Sequence, residues 1–154
     1  MTKIMLDTNV YCRPFDDRTE SAVNIEAELS EKILELAEHK KIEILSSDIL
    51  YAELGLIDDK RKRDIILSEI KSVAQKNIAI NKQIYDLSDG LINLISDYSD
   101  CLHIASAAFA GCDCLITCDK ELTQAKPKIE SFLMSKGFSL NILTPREFVS
   151  SIGD

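Results

Sequence analysis

No apolar run in this chain approaches the length needed to cross a membrane. The short apolar stretch after Met1 meets an acid at Asp7, too early for a secretory signal. No Gly/Pro/Ser linker divides the sequence, which has five glycines and three prolines in 154 residues, and it holds no repeat or low-complexity segment. One compact domain over residues 1–154, with a core that needs no staple, is therefore expected. Cys-x-x-Cys pairs are also missing, and His39 and His103 lie apart from the Cys112, Cys114 and Cys118 group. That disfavours a zinc site and fits small core hydrophobes. Five cysteines, an odd number, fit reduced thiols in a cytoplasmic protein.

Positive charge is scarce as well. Eighteen Lys and Arg face 26 Asp and Glu, a net charge of −8, which argues against holding nucleic acid by bulk electrostatics. Contact with a polyanion would need local cations. The candidates are Lys60-Arg61-Lys62-Arg63, Lys40-Lys41, Arg13, and Lys126 with Lys128. The Lys60–Arg63 run reads equally well as a solvated helix start, and an acidic surface also suits a basic protein partner.

What is present is an alternation of strand and helix patterns. Lys3 to Leu6 is an apolar strand, and Ile25, Leu29, Ile33, Leu36 and Ala37 recur at helical spacing between about 19 and 39. A strand over 41–45 leads to a helix over 49–57 that Ser46-Ser47-Asp48 can cap. Helices over 61–75 and 82–94 bracket a strand over 77–80. A small-residue helix runs from Asp100 to near Gly111, followed by a strand over 114–117, a helical stretch to about 136 and a strand over 140–143. Thr144-Pro145 opens a closing helix. The pattern predicts an α/β fold, three layers α/β/α around a mainly parallel sheet. In such sheets ligands bind at the carboxyl ends of the strands.

Four acids are aimed at that edge. Asp7 ends the first strand, Asp119 ends the Cys114-Leu115-Ile116-Thr117-Cys118-Asp119 segment, and Asp100 opens the small-residue helix. Glu53 sits four residues from both Ile49 and Ile57, on the face they bury. An unpaired carboxylate there would cost several kcal/mol, roughly, unless neutralised. Gathered carboxylates repel one another, so the pattern asks for a cation. Each also has a plainer reading: Asp7 as a turn residue, Glu53 at the edge of its stripe, Asp100 in a first turn capped by Ser99, Asp119 as a helix cap. His103 shares Asp100's side of its helix and reads as a packed or capping residue. Asp16-Asp17 read as a helix start. Asp97, Asp113 and Glu121 are substitutes for the site, Glu121 foremost.

Leu6-Asp7-Thr8-Asn9-Val10, Glu53-Leu54-Gly55, Asp100-Cys101-Leu102-His103-Ile104-Ala105-Ser106-Ala107 and Leu115-Ile116-Thr117-Cys118-Asp119 together resemble the PIN-domain ribonucleases, in order and over nearly the whole chain. Tyr11-Cys12-Arg13-Pro14-Phe15-Asp16-Asp17 is similar to small stand-alone bacterial or archaeal members of the VapC type. The resemblance implies an endoribonuclease that hydrolyses RNA phosphodiester bonds with Mg²⁺ or Mn²⁺ held by Asp7, Glu53, Asp100 and Asp119. Asp7 and Asp100 are the choice for direct ligands, with Glu53 and Asp119 acting through water. Asn9, Arg13 and Thr117 are expected to position substrate or carboxylates, with Arg13 equally suited to pairing with Asp16, Asp17 or Glu20. Many look-alikes are toxins held in check by a small antitoxin protein, and dimerisation is common among them.

Other readings fit less well. A phosphoacceptor module would want paired acids after the first strand, where Asp7 stands alone, and a lysine after the last, where Thr144-Pro145-Arg146 stands. A haloacid-type phosphatase would want aspartate where Asn9 stands. The stronger alternative is a non-catalytic PIN fold that binds RNA or protein.

Overall fold

The computed structural model describes residues 1–153. Its centre is a five-stranded, wholly parallel sheet in the order β3-β2-β1-β4-β5. The strands are β1 (Lys3–Leu6), β2 (Glu43–Ser47), β3 (Ala74–Ile78), β4 (Cys114–Ile116) and β5 (Asn141–Leu143). The helices are α1 (Thr8–Cys12), α2 (Ser21–Glu38), α3 (Asp48–Leu54), α4 (Lys60–Val73), α5 (Lys82–Leu91), α6 (Tyr98–Phe109), α7 (Lys120–Gln124), α8 (Lys126–Ser135) and α9 (Pro145–Ile152).

Alternation along the strands builds the three layers. Ile4, Leu6, Ile44, Cys114 and Ile116 face a core shared with α1, α2, α3, α4 and α9. Met5, Leu45, Leu115 and Ile142 face the opposite core, filled mainly by α5, α6, α7 and α8. The central strands β1, β2 and β4 are thus buried on both faces, which is why they read as apolar runs, whereas the edge strand β3 leaves Gln75, Lys76 and Asn77 exposed. The α/β/α architecture and parallel sheet agree with the sequence reading. No helix among the described residues is long and apolar enough to cross a membrane.

Helix starts follow local chemistry. Ser47, Asp59 and Asn81 each accept a hydrogen bond from the backbone three residues on, capping α3, α4 and α5. Thr144 and Glu147 form a reciprocal capping box over Pro145 at the start of α9. Several details differ from the sequence expectations, beginning with the strand expected over 77–80, which is β3 at Ala74–Ile78, so that α4 stops at Val73 rather than at 75. The turn after β1 is helical, as the short α1 and a 3₁₀ turn over Arg13–Phe15, elements too brief to show periodicity. The cap of α6 is Asp97 rather than Ser99; its carboxylate takes the amides of Ser99 and Asp100. The stretch from 120 to 135 is two helices, parted at Ala125 ahead of Pro127.

The chain order matters most for function. From β1 it moves outward to β2 and β3, then returns to place β4 on the other side of β1. The carboxyl ends of β1 and β4 therefore flank the crevice where connections leave in opposite directions, the usual ligand position in open parallel sheets. Asp7 follows β1, and Thr117 to Asp119 follow β4.

Candidate metal centre

Asp7 stands at the centre of that crevice. It continues β1, donating its amide to the Ile116 carbonyl at 2.9 Å, and it caps α1 through Oδ1, which accepts from the Thr8 amide at 2.8 Å. Its Oδ2 accepts from the Thr117 hydroxyl at 2.8 Å and from Asn9 Nδ2 at 3.1 Å. Asn9 Oδ1 in turn accepts the Cys118 amide at 3.0 Å, and Thr117 Oγ1 accepts the Asp119 amide at 3.0 Å. Asn9 and Thr117 thus lace the ends of β1 and β4 together around one carboxylate. Only 3% of Asp7 is exposed. Burial pushes its carboxyl above the usual range, opposed by His103 and the Thr117 bond and reinforced by the charge of Glu53.

Glu53 reaches the crevice from α3. Its Oε1 accepts from Thr8 Oγ1 and from His103 Nε2, each at 2.5 Å. Burial would raise its carboxyl, but the imidazole contact and the Thr8 bond outweigh this and hold it below the usual range. His103, on α6, is fully buried, with Nε2 also 3.6 Å from Asp7 Oδ1. Burial alone would lower the imidazole; the bond to Glu53 and the charges of Asp7, Glu53 and Asp100 together raise it. Its Nδ1 has no hydrogen-bond partner, and neither does the hydroxyl of Ser106, one turn further along α6.

Asp100 lies in the first turn of α6, at the rim of the same crevice. Burial, then the charges of Asp7, Asp97 and Asp119, push its carboxyl up to about 7. No hydrogen-bond donor offsets that rise; the one favourable influence is the charge of His103. Asp119 caps α7, accepting the Glu121 amide at 2.8 Å, and remains partly exposed.

One oxygen each from Asp7 and Glu53 and one nitrogen from His103 lie within 4.8 Å of one another, the one such group among the described residues. Asp100 and Asp119 stand outside that trio and meet it through charge. His103 is the residue the sequence reading gave to packing; its one-turn spacing from Asp100 was the available signal. The substitutes fall elsewhere. Asp113 accepts the Lys3 amide at 2.9 Å, at the amino edge of the sheet. Asp97 is spent on capping, and Glu121 accepts from the Ser96 amide and hydroxyl. Arg13 is tied to Asp16 at 2.9 Å and Glu26 at 3.1 Å, not to Asp17 or Glu20. Asp17 binds the Thr19 amide and hydroxyl.

The donor set suits a divalent ion. Carboxylate oxygens with one imidazole can hold a divalent metal ion, and an aspartate pushed up to about 7 by burial and acidic neighbours marks negative charge that the protein itself leaves uncompensated. All five cysteines are free thiols, with Cys101, Cys112 and Cys114 buried.

The fold and crevice define an α/β protein with an acidic ligand site at the switch point of a parallel sheet. The family is narrower. Residues 3–121 match the PIN domain, and the chain belongs to the PIN-domain family, whose members are generally nucleases. A search of curated proteins found no match.

Proposed function

We propose that this protein is a metal-dependent endoribonuclease that hydrolyses RNA phosphodiester bonds at the crevice between β1 and β4. The observation that carries the reading is the gathering of Asp7, Glu53 and His103 within 4.8 Å of one another at the crevice, with Asp7 buried and Asp100 raised to about 7 by burial and by the charges of Asp7, Asp97 and Asp119. A structural role explains caps and ion pairs, but not a carboxylate left among like charges.

Asp7 and Asp100 would hold Mg²⁺ or Mn²⁺ directly, and Glu53 and Asp119 would orient water around it. A bound ion would supply an activated water for in-line attack and offset charge on the leaving oxygen. Thr117 and Asn9 hold Asp7 in its rotamer, so the first ligand needs no reorganisation when the ion arrives. His103 and Thr8 fix Glu53 through one oxygen, leaving the other free to accept from water. The likeness of Tyr11 to Asp17 to VapC-type proteins supports a toxin restrained by a small antitoxin, for which a short co-transcribed reading frame beside the gene is the simplest check.

The test is incubation of a mixed RNA pool with the parent and with Asp7→Asn, in Mn²⁺ or in chelator. Cleavage by the parent in Mn²⁺ alone, absent in the variant, is expected. A variant that cuts as fast as the parent refutes the assignment, and Mn²⁺ binding without turnover on any RNA points to the non-catalytic alternative.

A further inference from the structure

We propose that the groove between α2 and α4 binds a linear aliphatic polyamine, a function beyond the nuclease reading and independent of it. Helical spacing builds the groove. Glu31, Glu35 and Glu38 follow one another a turn apart along α2 with Leu34 between them, and Glu69 and Val73, a turn apart on α4, face them. The space they line measures about 330 Å³, at the small end of ligand sites. That is room for a narrow chain and not for a folded segment.

The groove is acidic and largely unmatched. Glu31 pairs with Arg18 at 3.2 Å, but among the described residues no Lys or Arg lies within ion-pair distance of Glu35, Glu38 or Glu69. Burial, then the charges of Glu31 and Glu38, push the Glu69 carboxyl above its usual range, and no cation opposes them. Behind this wall the Tyr11 hydroxyl is buried and has no hydrogen-bond partner. The charges that act on it are those of Tyr51 and Glu69, not that of Asp7, which caps the same helix. The hydroxyl is therefore turned from the crevice toward the groove, whose Leu34 and Val73 close the core that Tyr11 shares.

Spacing decides the occupant. No three of these carboxylates bring oxygens within 4.8 Å of one another, since the one such group among the described residues is Asp7, Glu53 and His103. The set is too spread to close on a single metal ion. Negative charges a turn apart call for a ligand whose positive charges are spread likewise, and ammonium groups on short methylene spacers have that form. The methylenes would lie on Leu34 and Val73 and the ammonium groups on Glu35, Glu38 and Glu69. An ammonium at Glu69 also supplies the donor that the Tyr11 oxygen lacks. Bound across both helices, such a ligand ties α2 to α4 and offsets part of the net charge of −8.

The test is calorimetric titration of the metal-free protein with spermidine at low salt, beside thermal unfolding. Saturable binding that raises the unfolding midpoint is expected. Glu35→Gln with Glu38→Gln and Glu69→Gln should weaken it by about tenfold or more, and Glu69→Gln alone by about threefold, which keeps the test open should the triple variant fail to fold. Asp7→Asn with Asp100→Asn should bind spermidine as the parent does. A parent without saturable binding overturns the groove, as do glutamine variants that bind like the parent. Loss of binding in the Asp7 and Asp100 variant overturns it in favour of the crevice. Mg²⁺ that binds through the same three glutamates, or a lysine-rich peptide that binds more tightly than spermidine, overturns it in favour of an ion site or a protein partner. None of these results bears on RNA cleavage, so the groove and the nuclease reading fail separately.

Discussion

Asp100→Asn should make the metal-free protein more stable, although it removes a residue from the acidic crevice. In the folded protein the Asp100 carboxyl is pushed up to about 7, against an ordinary value of 3.8, by burial and by Asp7, Asp97 and Asp119. A separation of about 3 on the pH scale corresponds to ~4 kcal/mol of preference for the neutral form. Asp100 is half-buried, so solvent screening brings this down to about 1–2 kcal/mol. Asparagine keeps the shape and removes the charge, while giving up about 0.3–1 kcal/mol of favourable interaction with the start of α6.

The sign follows from linkage. Between 3.8 and about 7 the folded parent holds a proton at Asp100 that the unfolded chain has released, so parent stability falls as pH rises through that window. The advantage of the variant is therefore full at pH 8 and fades towards pH 4. Thermal unfolding in chelator should show the variant melting roughly 2–5 °C higher at pH 8, with the difference shrinking at pH 5. Mn²⁺ should reverse the order, raising the midpoint of the parent and leaving the variant nearly unmoved. A variant that melts at or below the parent at pH 8, or a difference indifferent to pH, would refute the electrostatic picture of the crevice.

Other consequences are equally open to measurement. Mn²⁺ affinity should drop as pH falls below about 7, by up to about tenfold per pH unit, because Asp100 must lose its proton to bind; calorimetric titration at pH 6, 7 and 8 checks this, and a flat profile contradicts it. Thr117→Val deletes a buried hydrogen bond to the Asp7 carboxylate and should destabilise the protein by about 2 kcal/mol while loosening metal binding, read from denaturant unfolding with and without Mn²⁺. Ser106→Ala removes a fully buried hydroxyl with no partner, so it should be neutral or stabilise by up to about 1 kcal/mol, and a loss beyond that would mean the hydroxyl is bonded after all.

Much of the scaffold was legible because burial on both faces leaves unbroken apolar strands such as Ile4-Met5-Leu6, and because capping residues such as Ser47 and Thr144 announce helix starts. The position of Asp7 directly after its strand could be read from the same runs, whereas Asp119 lies beyond the end of β4, as the cap of α7. The order of the strands could not, since pairing β4 beside β1 is a long-range choice that no local pattern encodes. His103 was hidden for a different reason. A histidine among Cys101, Leu102, Ile104 and Ala105 looks like core, and only the arrival of Glu53 from α3 turns its Nε2 into a contact within the crevice. Arg13 likewise gained a partner, Glu26, from a helix face whose orientation depends on how α2 crosses the 3₁₀ turn.

Calorimetric titration of the purified protein with Mn²⁺, beside Asp7→Asn, tests the central claim most directly. Saturable binding by the parent, lost in a variant that still melts cooperatively, is the expected result. A parent that takes up no Mn²⁺ at pH 8, or a variant that binds it equally well, would contradict a metal centre built on Asp7.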